Sequence, residues 1–241
     1  MNFHFHKIIK RDTLKKKLKK LQLIARHKHH PLIHHIHHIH KISKKTLFYI
    51  KEYGAHSNVP KTILKESIKI IILASLVSSL GGFALEEVKT IFISIMPLVI
   101  LLPTLNDMIG DYGTIVSSRF STMLHKREIT KLWWKNLIVQ QLLTQIFIIA
   151  SITAVLSACT ALGVTYFVEH SVNPVVAAKI LVITLLDVLI IVALLCVLSI
   201  YAGLYYFKKE KDPNNFLIPI TTSVADFGNM IVLTGLVLLF F

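Results

Sequence analysis

Charged residues are scarce. They make up 17% of the 241 residues, against about 25% in an ordinary soluble domain, while 54% are hydrophobic and the mean hydropathy is +0.62. A water-soluble globule is excluded, because so much apolar surface has to be met by lipid. Cysteine is nearly absent, and Cys159 and Cys196 both sit inside apolar runs. That excludes a disulfide framework and leaves the redox compartment unread. The first 30 residues hold no apolar stretch of the roughly 7–15 residues a cleavable signal needs, so the N-terminus is expected to stay in the cytosol. Acidic residues are scarce in the first quarter, where Asp12 and Glu52 stand against 16 Lys and Arg in residues 1–65. Residues 66–241 balance at 11 basic and 11 acidic. The chain divides into a basic arm, 1–65, and a neutral, membrane-embedded body, 66–241.

Long apolar runs are what the body has in abundance. A span needs about 20 mainly apolar residues, and five segments qualify, which gives an all-α integral membrane protein of five transmembrane helices. The first is Ile68–Leu85, closed by Glu86 and Glu87. The second begins near Ile91, stays apolar to Leu105 and then turns polar through Asn106, Asp107, Gly110, Asp111 and Gly113. The others are Leu137–Val168, Val175–Phe207 and Phe216–Phe241. Lys and Arg mark cytoplasmic loops. They gather in the arm, between the second and third spans (Arg119 to Lys135) and between the fourth and fifth (Lys208, Lys209, Lys211). This predicts a multi-pass protein of the cell membrane with its N-terminus inside and its C-terminus outside.

The arm holds two patterns. From Leu14 to Ala25, apolar residues recur at helical spacing among lysines, which predicts an amphipathic basic helix at anionic lipid headgroups. No aromatic interleaving or motif points to nucleic acid. From His29 to His40 the sequence is rich in histidine. His34, His37 and His38, or His30 with His34, share a helical face and could offer imidazoles to Zn²⁺; the alternative is a low-complexity basic segment.

Carboxylates inside a span are costly and tend to line a polar cavity. Asp107, Asp111, Asp187 and Asp226 are the candidates, with Asn106 and Thr222 as neutral oxygens beside them. Pro103 precedes the first pair, and Pro219, Thr221, Thr222 and Ser223 precede Asp226. Carboxylate, carbonyl and hydroxyl oxygens suit hard cations such as Mg²⁺, Ca²⁺ or Mn²⁺. Asp187 stands alone on an apolar helix, where a packing role is the alternative.

The stretch from Pro103 through Gly110-Asp111-Tyr112-Gly113 to Ser118-Arg119 resembles the MgtE-type magnesium channels and their solute-carrier relatives, as does Asp212-Pro213 through Pro219 and Thr222-Ser223 to Asp226. The resemblance covers about residues 66–241. It implies a homodimer whose ion path lies at the two-fold axis, lined by the second and fifth helices, with Asp226 holding hydrated Mg²⁺. The usual Gly-Asn-x-Gly is here Gly110-Asp111-Tyr112-Gly113, and Asp107 replaces a common glycine, so two carboxylates are added beside the path. The large acidic Mg²⁺-sensing module of the best-known members is replaced by the basic arm. A proton- or sodium-coupled divalent cation exporter is the alternative, and an intramembrane aspartyl protease a remote one.

Overall fold

The computed structural model describes residues 14–21, 31–40, 42, 46–47, 50–51, 59–126, 128–129, 133–209 and 212–241. The chain forms two compact units, Met1–Glu66 and Ser67–Phe241.

In the first unit, residues 14–21 and Pro31–His40 are helical. Leu21, Ile33, Ile36 and Leu47, at 0–3% exposure, form a small core against which Leu14, Leu18, Leu32 and Ile42 pack. Leu14, Leu18 and Leu21 fall on one helical stripe, and that stripe is turned inward while Lys15, Lys16, Lys19 and Lys20 are exposed. These leucines are therefore used within the arm itself, with the four lysines turned outward. Residues 22–30, with His29 and His30, lie outside the described residues.

Among the described residues, the second unit is built from five α-helices, α1 (Val59–Ser94), which enters it at Ser67, α2 (Met96–His125), α3 (Leu137–Glu169), α4 (Pro174–Lys208) and α5 (Asn214–Phe240), with a single 3-10 turn at Trp133–Lys135. No strand occurs among the described residues. Asn136 starts α3 by accepting from the backbone N–H groups of Ile138 and Val139 at 3.0 and 3.4 Å, and Asn173 starts α4 by accepting from Val175 at 2.9 Å. Both are ordinary N-caps. The α1–α2 junction differs from expectation. Glu86 and Glu87 do not end α1, which continues to Ser94, and the break falls at Ile95 (φ −121°, ψ 88°). Pro97 explains the position, since its ring would collide with the Ile93 carbonyl in an unbroken helix.

Among the described residues, four helices are long and apolar enough to cross a membrane: Ser67–Ser94 of α1, and α3, α4 and α5. The 30 residues of α2 fall short because Asp107, Asp111 and Arg119 interrupt them. At about 1.5 Å per residue, α3 and α4 are near 50 Å long, more than a hydrocarbon core of about 30 Å requires.

Contacts fix the helix directions. α1 runs parallel to α5, since Ser67 meets Asn215, Ser78 meets Asp226 and Ala84 meets Thr234. α2 runs antiparallel to α3 (Met108 with Ser157, Tyr112 with Thr153) and to α5 (Asn106 with Asn229, Ser117 with Thr221). It is parallel to α4, where Ser117 meets Ser199 and Phe120 meets Gly203. α4 and α5 are antiparallel, with the Lys179 ammonium donating to the Phe240 carbonyl at one end and Gly203 against Leu217 near the other. Consecutive helices therefore alternate in direction throughout.

Small side chains allow the close approach. Ala150, Ala154, Ala158 and Ala161 line the buried face of α3 at 0–1% exposure, the stripe of small residues that packs helices tightly where both sides are apolar. Rings collect near the end marked by Ser67. Trp133 meets Tyr201, His125 meets Phe207, and Tyr206 stacks on Phe216 with centroids 4.2 Å apart.

Candidate functional site

Proline removes a backbone donor and leaves the carbonyl four residues earlier without its helical partner. Pro219 does this to Asn215 in α5, and the Ser67 hydroxyl of α1 donates to that carbonyl at 3.1 Å. Two turns further on, α5 presents Asp226, half-buried between α1 and α2. The Ser78 hydroxyl donates to its Oδ2 at 3.0 Å and the Asn106 amide to its Oδ1 at 2.9 Å. A carboxylate only accepts, so Asn106 must turn its NH₂ toward Asp226 and its oxygen away. The Asn229 amide, one turn along α5, donates to that oxygen at 3.1 Å. Asn229 is fully buried, and its own Oδ1 has no hydrogen-bond partner among the described residues. Two branches from three helices thus converge on Asp226, Ser78 directly on one oxygen and Asn229 through Asn106 on the other.

Two glycines let α2 lie against α5 here. A Cβ at Gly113 would stand 3.1 Å from Thr221 Cβ, and Gly110 faces the Thr222 methyl. Beyond Gly113, Ser117 joins Ser199 and Thr221 at 3.2 Å each, a buried hydroxyl cluster tying α2, α4 and α5. The Thr222 hydroxyl donates back to the Ile218 carbonyl at 2.9 Å, so its remaining capacity is as an acceptor.

Asp107 and Asp111 are placed differently. Successive helical residues point about 100° apart, so with Asn106 facing Asp226, its neighbour Asp107 is turned aside. Both aspartates are exposed and line a cavity of about 760 Å³ between α2 and α3, together with Thr104, Thr153, Ser157 and Thr160. The Tyr112 hydroxyl hydrogen-bonds Thr153 beside it. No ion pair reaches Asp107, Asp111 or Asp226 from a cation among the described residues.

Asp187 does not join either group. It is fully buried on α4, in a helix face that also buries Ile183, Val188 and Ile191, and neither of its oxygens has a hydrogen-bond partner among the described residues. Thr184, one turn earlier on the same face, is buried as well, and its hydroxyl too has no hydrogen-bond partner among the described residues.

The arm histidines are likewise divided. His34 and His38 are exposed on Pro31–His40, but His37 turns its Nδ1 to the Ile42 carbonyl at 2.6 Å, and His35 Nε2 accepts from Lys17 at 3.1 Å. Among the described residues no group of three or more His, Cys, Asp or Glu stands ready to hold a metal. Ser78 and Asn229 are the site residues that sequence spacing passed over. Asn229 could have been found from its place one turn after Asp226, whereas Ser78 carries no local signal beyond a hydroxyl in an apolar helix.

The family model for MgtE, described as divalent cation transporter, matches residues 102–236, more than half of the chain. No curated protein and no solved structure matches it. The matched segment contains Asn106, Asp107, Asp111, Thr222, Asp226 and Asn229. The chain therefore belongs to the MgtE family of divalent cation transporters, a multi-pass membrane protein that moves ions and not an enzyme, and the peptidase alternative falls away.

Proposed function

We propose that the protein conducts hydrated Mg²⁺ across the cell membrane and that Asp226 is the carboxylate that holds the ion in transit. The observation that carries this reading is the pair of neutral donors on Asp226, Ser78 and Asn106, which fix the carboxylate without neutralising it. Each of its oxygens keeps a lone pair for a bound water or cation. Mg²⁺ sheds its waters reluctantly and is commonly met by one or two carboxylates through that shell. Mn²⁺ and Ca²⁺ suit the same oxygens and compete.

Five crossings are supported by helix direction. Parallel α1 and α5 require an even number of reversals between them, which α2, α3 and α4 supply only if α2 also crosses. Its polar residues need cover, since an aspartate at a helix centre costs about 2.5–3.5 kcal/mol in lipid. Thr104, Asp107, Asp111 and Arg119 are exposed on α2, and a second copy enclosing a wet path meets that need. The proposed protein is thus a homodimer with α2 and α5 along its axis, and Asp107 and Asp111 raise the local cation concentration beside it.

Lys126, Lys135, Lys208 and Lys209 lie at the ends of α2 and α4 and the start of α3, against Lys89 and Lys179 at the opposite end. By the bias of Lys and Arg toward the cytoplasmic side, this supports a cytosolic placement of the first group. The arm's exposed lysines suit anionic headgroups.

The test is Mg²⁺ flux into proteoliposomes. Asp226→Ala is expected to abolish flux while leaving the gel-filtration profile of the purified protein unchanged; wild-type flux in that variant removes the central assignment.

A further inference from the structure

We infer that α1, through Ser78, sets how Asp226 shares its charge with the ion and so sets the preference between Mg²⁺ and Mn²⁺. The inference rests on Asp226 being the ion-holding group.

Ser78 is half-buried, and its hydroxyl donates to Asp226 Oδ2 at 3.0 Å. With Asn106 on Oδ1, both oxygens carry a neutral donor, which fixes the carboxylate plane and draws off part of its charge. A carboxylate so held accepts water-shelled ions in preference to replacing their waters. Freeing Oδ2 returns it a lone pair and some charge, and lets it turn toward a cation that dehydrates more readily than Mg²⁺, such as Mn²⁺. Ser78 is a positioning residue in this account, and it reaches the ion only through Asp226.

The hydrogen bond depends on how near α1 lies to α5, and Gly81 controls that spacing. A Cβ at Gly81 would fall 2.8 Å from Met230 Sδ and 3.2 Å from the Phe227 Cα. The sulfur can swing away, but the backbone of α5 cannot. Gly81 is one turn from Ser78 on the same face of α1, so any added bulk there lifts the serine from the carboxylate. Gly82, by contrast, has nothing within 4 Å of its Cβ position. Two adjacent glycines therefore have opposite consequences. Further along the contact, Ser67 on Asn215 and Thr234 on Ala84 hold the helices in register, so a change at Gly81 acts on spacing and not on sliding.

The experiment measures half-saturating Mg²⁺ and Mn²⁺ for flux in proteoliposomes made with the full chain. Ser78→Ala is expected to shift the ratio toward Mn²⁺ by about tenfold, the scale of one hydrogen bond to a charged group. Gly81→Ala is expected to shift it the same way, and Ser78→Thr and Gly82→Ala to keep the wild-type ratio. A wild-type ratio in Ser78→Ala, measured beside an inactive Asp226→Ala, overturns the role of Ser78 and leaves Asp226 in place. Persisting flux in Asp226→Ala overturns the underlying reading and this inference with it. An equal shift in Ser78→Ala and Ser78→Thr also overturns it, since the hydroxyl would then be irrelevant.

Discussion

The Asn106 amide of α2 donates to Oδ1 of Asp226 on α5 at 2.9 Å, and the adjacent Asp107 faces a different groove. One residue of helical rotation thus decides which polar group touches the carboxylate. A neutral donor there fixes Asp226; a second carboxylate would repel it.

Asn106→Ala removes that donor and also the acceptor used by the fully buried Asn229. Leaving a buried amide without its partner costs about 1–3 kcal/mol. The variant is expected to melt at a lower temperature in detergent and to conduct more slowly, checked by thermal unfolding and by Mg²⁺ flux on one preparation.

Asp107 and Asp111 act on the ion at a distance, because they line a groove against α3 and the partners of Asp226 are Ser78 and Asn106 instead. The double change to Asn is expected to raise the half-saturating Mg²⁺ concentration several-fold and to leave the maximal rate near wild type. The rise should shrink as ionic strength increases, because fields between exposed charges are screened. A collapse of the maximal rate at every salt concentration contradicts a steering role.

Gly203 reports on the packing that supports the site. A Cβ there would lie 2.9 Å from a ring carbon of Phe120, itself 1% exposed and unable to withdraw. Gly203→Val is expected to cost about 1–3 kcal/mol by overpacking, read as a lowered midpoint of thermal or denaturant unfolding. No change in midpoint contradicts the close α2–α4 contact.

Much of the helical frame was legible in the sequence. The span Leu137–Val168 became α3 at Leu137–Glu169, and Val175–Phe207 became α4 at Pro174–Lys208, because each long apolar run is itself the helix that has to be met by lipid. The α1–α2 junction was not legible in the same way. Glu86 and Glu87 resemble a terminus, yet two charges on an exposed helical turn do not stop a helix, and the stop comes from Pro97 inside an apolar run. Within the site, Asp226 and Asn106 could be named from residue type and span, but their partners could not. Ser78 lies 148 positions from Asp226, and only the parallel packing of α1 on α5 brings them together. Asp187 shows the converse limit, since its residue type suggests a ligand, whereas its full burial on α4, with both oxygens unpartnered among the described residues, is not written in the local sequence.

The assignment of Asp226 is tested most directly by locating Mn²⁺, as a stand-in for Mg²⁺, through its anomalous scattering in crystals of the full protein. The account predicts a peak within one water layer of Asp226, on or beside a two-fold axis relating two copies, and its loss in Asp226→Ala. A peak confined to the Asp107–Asp111 groove, with the Asp226 carboxylate bound only to Ser78 and Asn106, contradicts it.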